Sequence, residues 1–254
     1  MRQEKSMMML YARSTIWKLL AVFVLMTVVE TALFITGFRT AEGELLDPNR
    51  VVEAYRYQNP LRLGDVFTQS HIQYVFGVAF VAVMVILSLS GCEFGSKVGY
   101  TYRRLGISER RSGALQAVYN AMCLVMLLAV QGFIALALCK WYMLNAPAEY
   151  VTNQTVIVNF YNNEFLHGLL PLEDTAAHVW NGILVVCLAI TAACFPIRQR
   201  RGQKGIAVIL ATAGAILTFR QAIGMTAENV ILFGLGFVCV TSYAVSGVWE
   251  EKLE

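Results

Sequence analysis

The chain has 254 residues, 57% of them hydrophobic and 15% charged, with a formal net charge of +3. That balance excludes an ordinary soluble domain, in which about a quarter of the residues carry charge. The net charge by itself says little about partners, and nucleic acid is not among those expected.

The apolar residues fall into six runs, at 15–38, 71–91, 113–139, 176–195, 205–223 and 227–248. A bilayer core takes about 20 apolar residues per helix. Backbone groups in lipid must bond internally, so such runs predict helices, and the period-two alternation of a membrane barrel is absent. The expected fold is all-α: one polytopic membrane domain over residues 1–254, with six transmembrane helices, cytoplasmic termini and two long outer loops.

Residues 1–14 contain the basic, Met-rich stretch MRQEKSMMMLYAR, read either as a cytoplasmic or interfacial helix leading into the first span or as a frayed terminus. The first run starts too late and runs too long for a cleavable signal peptide. The outer loop 39–70 is mixed in charge, with a short surface helix possible at 49–58. The third run is followed by a second outer loop, 140–175, rich in aromatics and Asn. Loops beyond about 12–15 residues usually carry structure or function, and short amphipathic helices capping the outer mouth are expected here.

Orientation follows from the basic residues. With the N-terminus inside, fourteen of the 20 Lys and Arg lie on the inner side, including Arg2, Lys5, Arg13, Lys18 and the 198–204 cluster. Only Arg39, Arg50, Arg56, Arg62, Lys140 and Arg220 lie outside, so the bias places both termini in the cytoplasm. The loop 196–204 (PIRQRRGQK) reads as an anchor near anionic headgroups.

Several chemistries are excluded. The chain has no G-x-x-x-x-G-K-[ST] phosphate loop, no H-E-x-x-H and no G-x-S-x-G, so it carries neither its own Walker-type ATP site nor a familiar hydrolase signature. Cys92, Cys123, Cys139, Cys187, Cys194 and Cys239 sit in or beside spans without a CxxC, which argues against a disulfide framework or a structural zinc site. Glu164, His167, Glu173, Asp174 and His178 offer metal-ligand types, but their spacing fits no single helical face and Pro171 interrupts it.

Polar residues inside the runs are costly and therefore informative. Glu30 is the one carboxylate well inside a span, and Arg220 lies at a comparable outer depth. The two read either as a structural ion pair or as part of a substrate or proton route. Gln116, Asn120 and Gln131 share the third run and predict interhelical hydrogen bonds. Gly234, Gly236, Ser242 and Ser246 give the last run the small residues of close helix packing.

The stretch 91–112, GCEFGSKVGYTYRRLGISERRS, is a compact basic loop between the second and third spans. Glu93, Gly99-Tyr100-Thr101 and Leu105-Gly106-Ile107-Ser108-Glu109-Arg110 within it resemble the loop after the second span in the ABC-2 type transporter permease family. Six spans, cytoplasmic termini and this chain length are similar to that family too.

The resemblance implies one transmembrane subunit of an ATP-driven ABC transporter, an exporter, in a bacterial plasma membrane. The loop 92–112 would couple it to a separate ABC ATPase subunit, which would hold the ATP and Mg; this chain itself would bind no cofactor and be no enzyme. A second permease subunit, the same or a related chain, would complete the path. The docking residues implied are Glu93, Gly99, Tyr100, Tyr102, Arg103, Arg104, Leu105, Glu109, Arg110 and Arg111, because aromatics and Arg dominate interface energetics. The alternatives are a membrane-embedded enzyme using the outer carboxylates and histidines, and a non-transporting accessory or sensor subunit.

Overall fold

The structure is a computed structural model, and it describes residues 2–46, 61–92, 108–170, 175–219 and 227–249. Among these residues all regular structure is helical. The chain begins with α1 (Arg2–Leu46), followed by a short α2 (Leu63–Gln69), α3 (Ile72–Leu89) and the long α4 (Glu109–Asn145). A 3-10 turn (Ala148–Tyr150) leads to α5 (Thr155–Asn162) and α6 (Glu164–Leu169). The chain then returns through α7 (Thr175–Arg200), α8 (Ile206–Phe219) and α9 (Ala227–Trp249).

Each of the six apolar runs contains a helix, and four helices are long and apolar enough to cross a membrane: α1, α3, α4 and α7. These mark the protein as membrane-embedded. The apolar stretches of α8 and α9, Ile206–Leu217 and Ile231–Ser246, are shorter.

The segment 1–14 is no separate element from Arg2 onward, because α1 runs unbroken for 45 residues, about 67 Å at 1.5 Å per residue. That exceeds a hydrocarbon core of about 30 Å, so the helix overruns it and takes in the start of the predicted outer loop 39–70. Met7, Tyr11, Thr15, Leu19, Phe23, Met26, Glu30, Phe34, Phe38 and Ala41 are all buried. Their spacing of three or four makes one continuous seam, while Trp17, Val24, Leu25 and Val28 face outward. The surface helix considered at 49–58 lies outside the described residues.

α7 is the most enclosed of the four spans and packs against α3, α4, α8 and α9. The predicted loop 196–204 begins later than expected, because α7 continues through Pro196. Gly202 ends the helix in the left-handed region (φ 71°). Gln203 N donates to the Arg198 carbonyl and Gly202 N to that of Gln199, the paired bonds of a glycine C-terminal cap.

The three polar residues of α4 each reach a different helix. Gln116 Nε2 donates to Ser90 Oγ beside α3 (3.3 Å), and Asn120 Nδ2 donates to the Ala189 carbonyl of α7 (3.3 Å). Gln131 Nε2 donates to Glu30 Oε2 of α1 (3.0 Å). Lipid offers no hydrophobic drive for helix association, so such bonds and close packing hold the bundle.

The cap end of the bundle carries α2, α5 and α6. Phe34 and Phe38 of α1 meet Phe67 of α2 and Trp141 of α4 at ring-centroid distances of 4.9 to 6.1 Å. Tyr142 Oη donates to the Leu61 carbonyl (2.6 Å). Asn163 closes α5 and opens α6: its Oδ1 accepts from the backbone N–H of Phe165 and Leu166. Two short helices, α5 and α6, thus lie within the stretch 140–175.

Candidate functional site

Opposite the cap, the helix ends form a basic face. α4 starts with Ser108 as its N-cap, whose Oγ accepts from Arg111 N (3.4 Å). Arg110 and Arg111 in the first turn are exposed. Cations at a helix N-terminus oppose the macrodipole.

Gly91, just after α3, and Gly113, in the second turn of α4, both stand against the C-terminal end of α7. A Cβ on Gly91 would lie 2.8 Å from Pro196 Cγ, and one on Gly113 would lie 3.1 Å from Ile197 Cδ1. Arg198 is buried in this turn; its Nη1 donates to the Tyr243 carbonyl (2.6 Å), and its guanidinium lies 4.3 Å from the Tyr243 ring centroid. Near the other end of α7, Trp180 packs edge-on against Phe237 at 5.4 Å, so opposite ends of α7 both hold the middle of α9. The predicted docking residues Glu93, Gly99, Tyr100, Tyr102, Arg103, Arg104 and Leu105 lie outside the described residues. Glu109, Arg110 and Arg111 are placed where α4 leaves the basic face.

Mid-bundle, Glu30 is fully buried in the α1 seam. Its Oε2 accepts from Gln131, while Glu30 Oε1 and Gln131 Oε1 have no hydrogen-bond partner. Arg220, the cation expected to pair with Glu30, lies outside the described residues.

At the cap end lies a cavity of about 770 Å³. α2 contributes Gly64, Asp65 and Thr68 to its wall; α3 contributes Gln73, Tyr74, Gly77 and Phe80; α5 contributes Asn159 and Asn162. Glu164 and Phe165 of α6 and Ile216 and Leu217 of α8 also line it. Burial pushes the Asp65 carboxyl above its ordinary value, and the neighbouring Arg62 pulls part of the way back.

Asn159 is only 5% exposed, and neither its Nδ2 nor its Oδ1 has a hydrogen-bond partner. The Cys139 thiol beside it takes at most one weak hydrogen bond from the amide N–H groups. A buried amide left unpaired costs about 1–3 kcal/mol per group, and Asn159 does so in a cavity wall.

Comparison with protein families, curated proteins and solved structures finds no match.

The histidines do not gather. His71 sits at the bend between α2 and α3 with a left-handed backbone (φ 53°) and its ring 5.7 Å from that of Tyr74. His167 is buried in α6 with its ring 6.0 Å from that of Tyr161, and His178 lies in the first turn of α7. Among the described residues no group of three His, Cys, Asp or Glu is placed to hold a metal; Glu173 and Asp174 fall outside them. The six cysteines are all unpaired thiols, and five are buried.

The arrangement has two chemically distinct ends: a basic one at the start of α4 and the end of α7, and a cap end that encloses a mixed polar and apolar space. Sequence reasoning missed the second. The Asn-rich run at 159–163 was its one local signal, but Gly64, Asp65, Gln73 and Leu217 come together only through the fold.

Proposed function

We propose that this chain is the transmembrane permease subunit of an ATP-driven ABC transporter. It crosses a bacterial plasma membrane six times with both termini in the cytoplasm, and a separate ATPase subunit grips it at the basic face. The observation that carries this reading is the footing of the loop 92–112. Gly91 and Gly113 bring both of its ends into near-contact with the last turn of α7, the helix that packs on four others. A force applied to the loop therefore has a direct route into the centre of the bundle.

Arg110 and Arg111 serve acidic groups on the partner, in keeping with their unfavourable place at a helix N-terminus. Tyr100, Tyr102 and Leu105 fill its groove. ATP and Mg belong to that partner, and a second permease subunit completes the substrate path.

The test is gentle purification of the tagged chain from its native membrane, with mass spectrometry of what accompanies it. The proposal expects an ABC ATPase that is lost on Arg103→Glu/Arg104→Glu replacement. A preparation free of any ATPase refutes it.

A further inference from the structure

The cap-end cavity has two unlike halves. Gly77 and Phe80 of α3 and Ile216 and Leu217 of α8 give it an apolar side drawn from two apolar helices. Gln73, Tyr74, Asp65, Thr68, Asn162 and Glu164 give it a polar side near the cap. Its volume of about 770 Å³ falls within the range of roughly 300–1,000 Å³ typical of small-molecule sites. A space with one greasy and one polar wall suits an amphiphile.

Asn159 narrows the chemistry of the polar end. Apart from the weak contact to Cys139, its Nδ2 and its Oδ1 have no hydrogen-bond partner. A carboxylate would satisfy the donor alone and an ammonium the acceptor alone; a hydroxyl offers both on a single atom, whereas an amide meets both at once through its own oxygen and N–H. Gly64 keeps that amide within reach, since a Cβ there would lie 3.1 Å from Asn159 Oδ1, and both residues line the cavity.

We infer that this cavity is a binding site for an amphipathic amide, a molecule with an apolar body held between α3 and α8 and an amide group paired with Asn159. Such an amide arrives either in the bilayer, as the head of a lipid-like molecule, or from the aqueous side, as a small apolar peptide. The inference stands apart from the ATPase-docking proposal, because binding requires no partner subunit.

The test uses the full chain in lipid nanodiscs and a dodecanamide carrying a diazirine on its alkyl chain. After photolysis, mass spectrometry maps the labelled residues. Label on Phe80, Ile216 or Leu217 that excess unlabelled dodecanamide displaces, and methyl dodecanoate does not, supports the site. Displacement also by N-acetylphenylalaninamide identifies an aqueous source; displacement by dodecanamide alone identifies the bilayer.

Asn159→Leu should lower the displaceable label by about tenfold, the loss expected for an unmatched buried amide. Gly77→Leu gives a second reading that does not depend on Asn159, because a Cβ at Gly77 meets no atom within 4 Å. Leucine there fills the cavity and should abolish the displaceable label. Label spread equally over outward residues such as Val24 and Val125, or unchanged by both substitutions, overturns the inference.

Discussion

Gln131 of α4 donates a hydrogen bond of 3.0 Å to the carboxyl of Glu30 on α1, and neither residue has any solvent exposure. Thr15, four turns earlier in the same α1 seam, makes the matching contact to Tyr119 of α4 at 2.6 Å. The two helices are thus pinned at mid-bundle and near the basic face. Gln131→Leu leaves the Glu30 carboxyl buried without its donor and should cost about 2–3 kcal/mol. Glu30→Gln keeps an acceptor for Gln131 and should cost under about 1 kcal/mol. Thermal unfolding of both variants in mild detergent checks the contrast.

Gly91 lets the end of α3 touch α7. A Cβ at this position would lie 2.8 Å from Pro196 Cγ and 3.2 Å from Gln116 Oε1. Pro196 has little freedom to yield, because its ring is fixed in the backbone. Gly91→Val should therefore destabilise the bundle by about 1–3 kcal/mol through overpacking, whereas Gly236→Ala meets no atom within 4 Å and should leave stability within about 0.5 kcal/mol. Unfolding midpoints of the pair measure the difference.

Asp65 gives the fold a pH dependence of defined sign. Burial raises its folded-state pKa, with Arg62 opposing, so the folded protein holds this proton more tightly than the unfolded chain. Stability from this group is greatest below the ordinary carboxylate range, falls as pH rises to the folded-state pKa, and then levels off. Asp65→Asn should remove that component, so the wild-type and mutant melting temperatures should converge at low pH and separate above it, with the mutant the more stable. Melting temperatures of both proteins across a pH series test the sign.

The apolar runs were legible in sequence because lipid demands continuous apolar helices, and each run contains one. Helix ends were not, since hydropathy and backbone bonding obey different rules. α1 passes Arg39 and Glu42 without a break, because charged side chains beyond the bilayer leave the backbone ladder untouched. The burial of Glu30 could be read from its place in a seam of three- and four-residue spacings. Charge complementarity drew attention to Arg220, but the described partner is Gln131, a neutral amide that avoids the desolvation penalty of a second buried ion. Gln116 and Asn120 made the interhelical bonds expected of them. The cap-end cavity escaped notice because its wall joins residues near 64, 77, 159 and 217, a grouping no sequence window contains.

The most direct test of the account places a photo-crosslinking amino acid at Arg111, on the exposed first turn of α4, in cells that make the full chain natively. The account predicts a crosslinked ABC ATPase subunit, captured in the intact membrane and lost when Arg103 and Arg104 are both changed to Glu. Crosslinks to lipid alone, with the ATPase never captured, would contradict it.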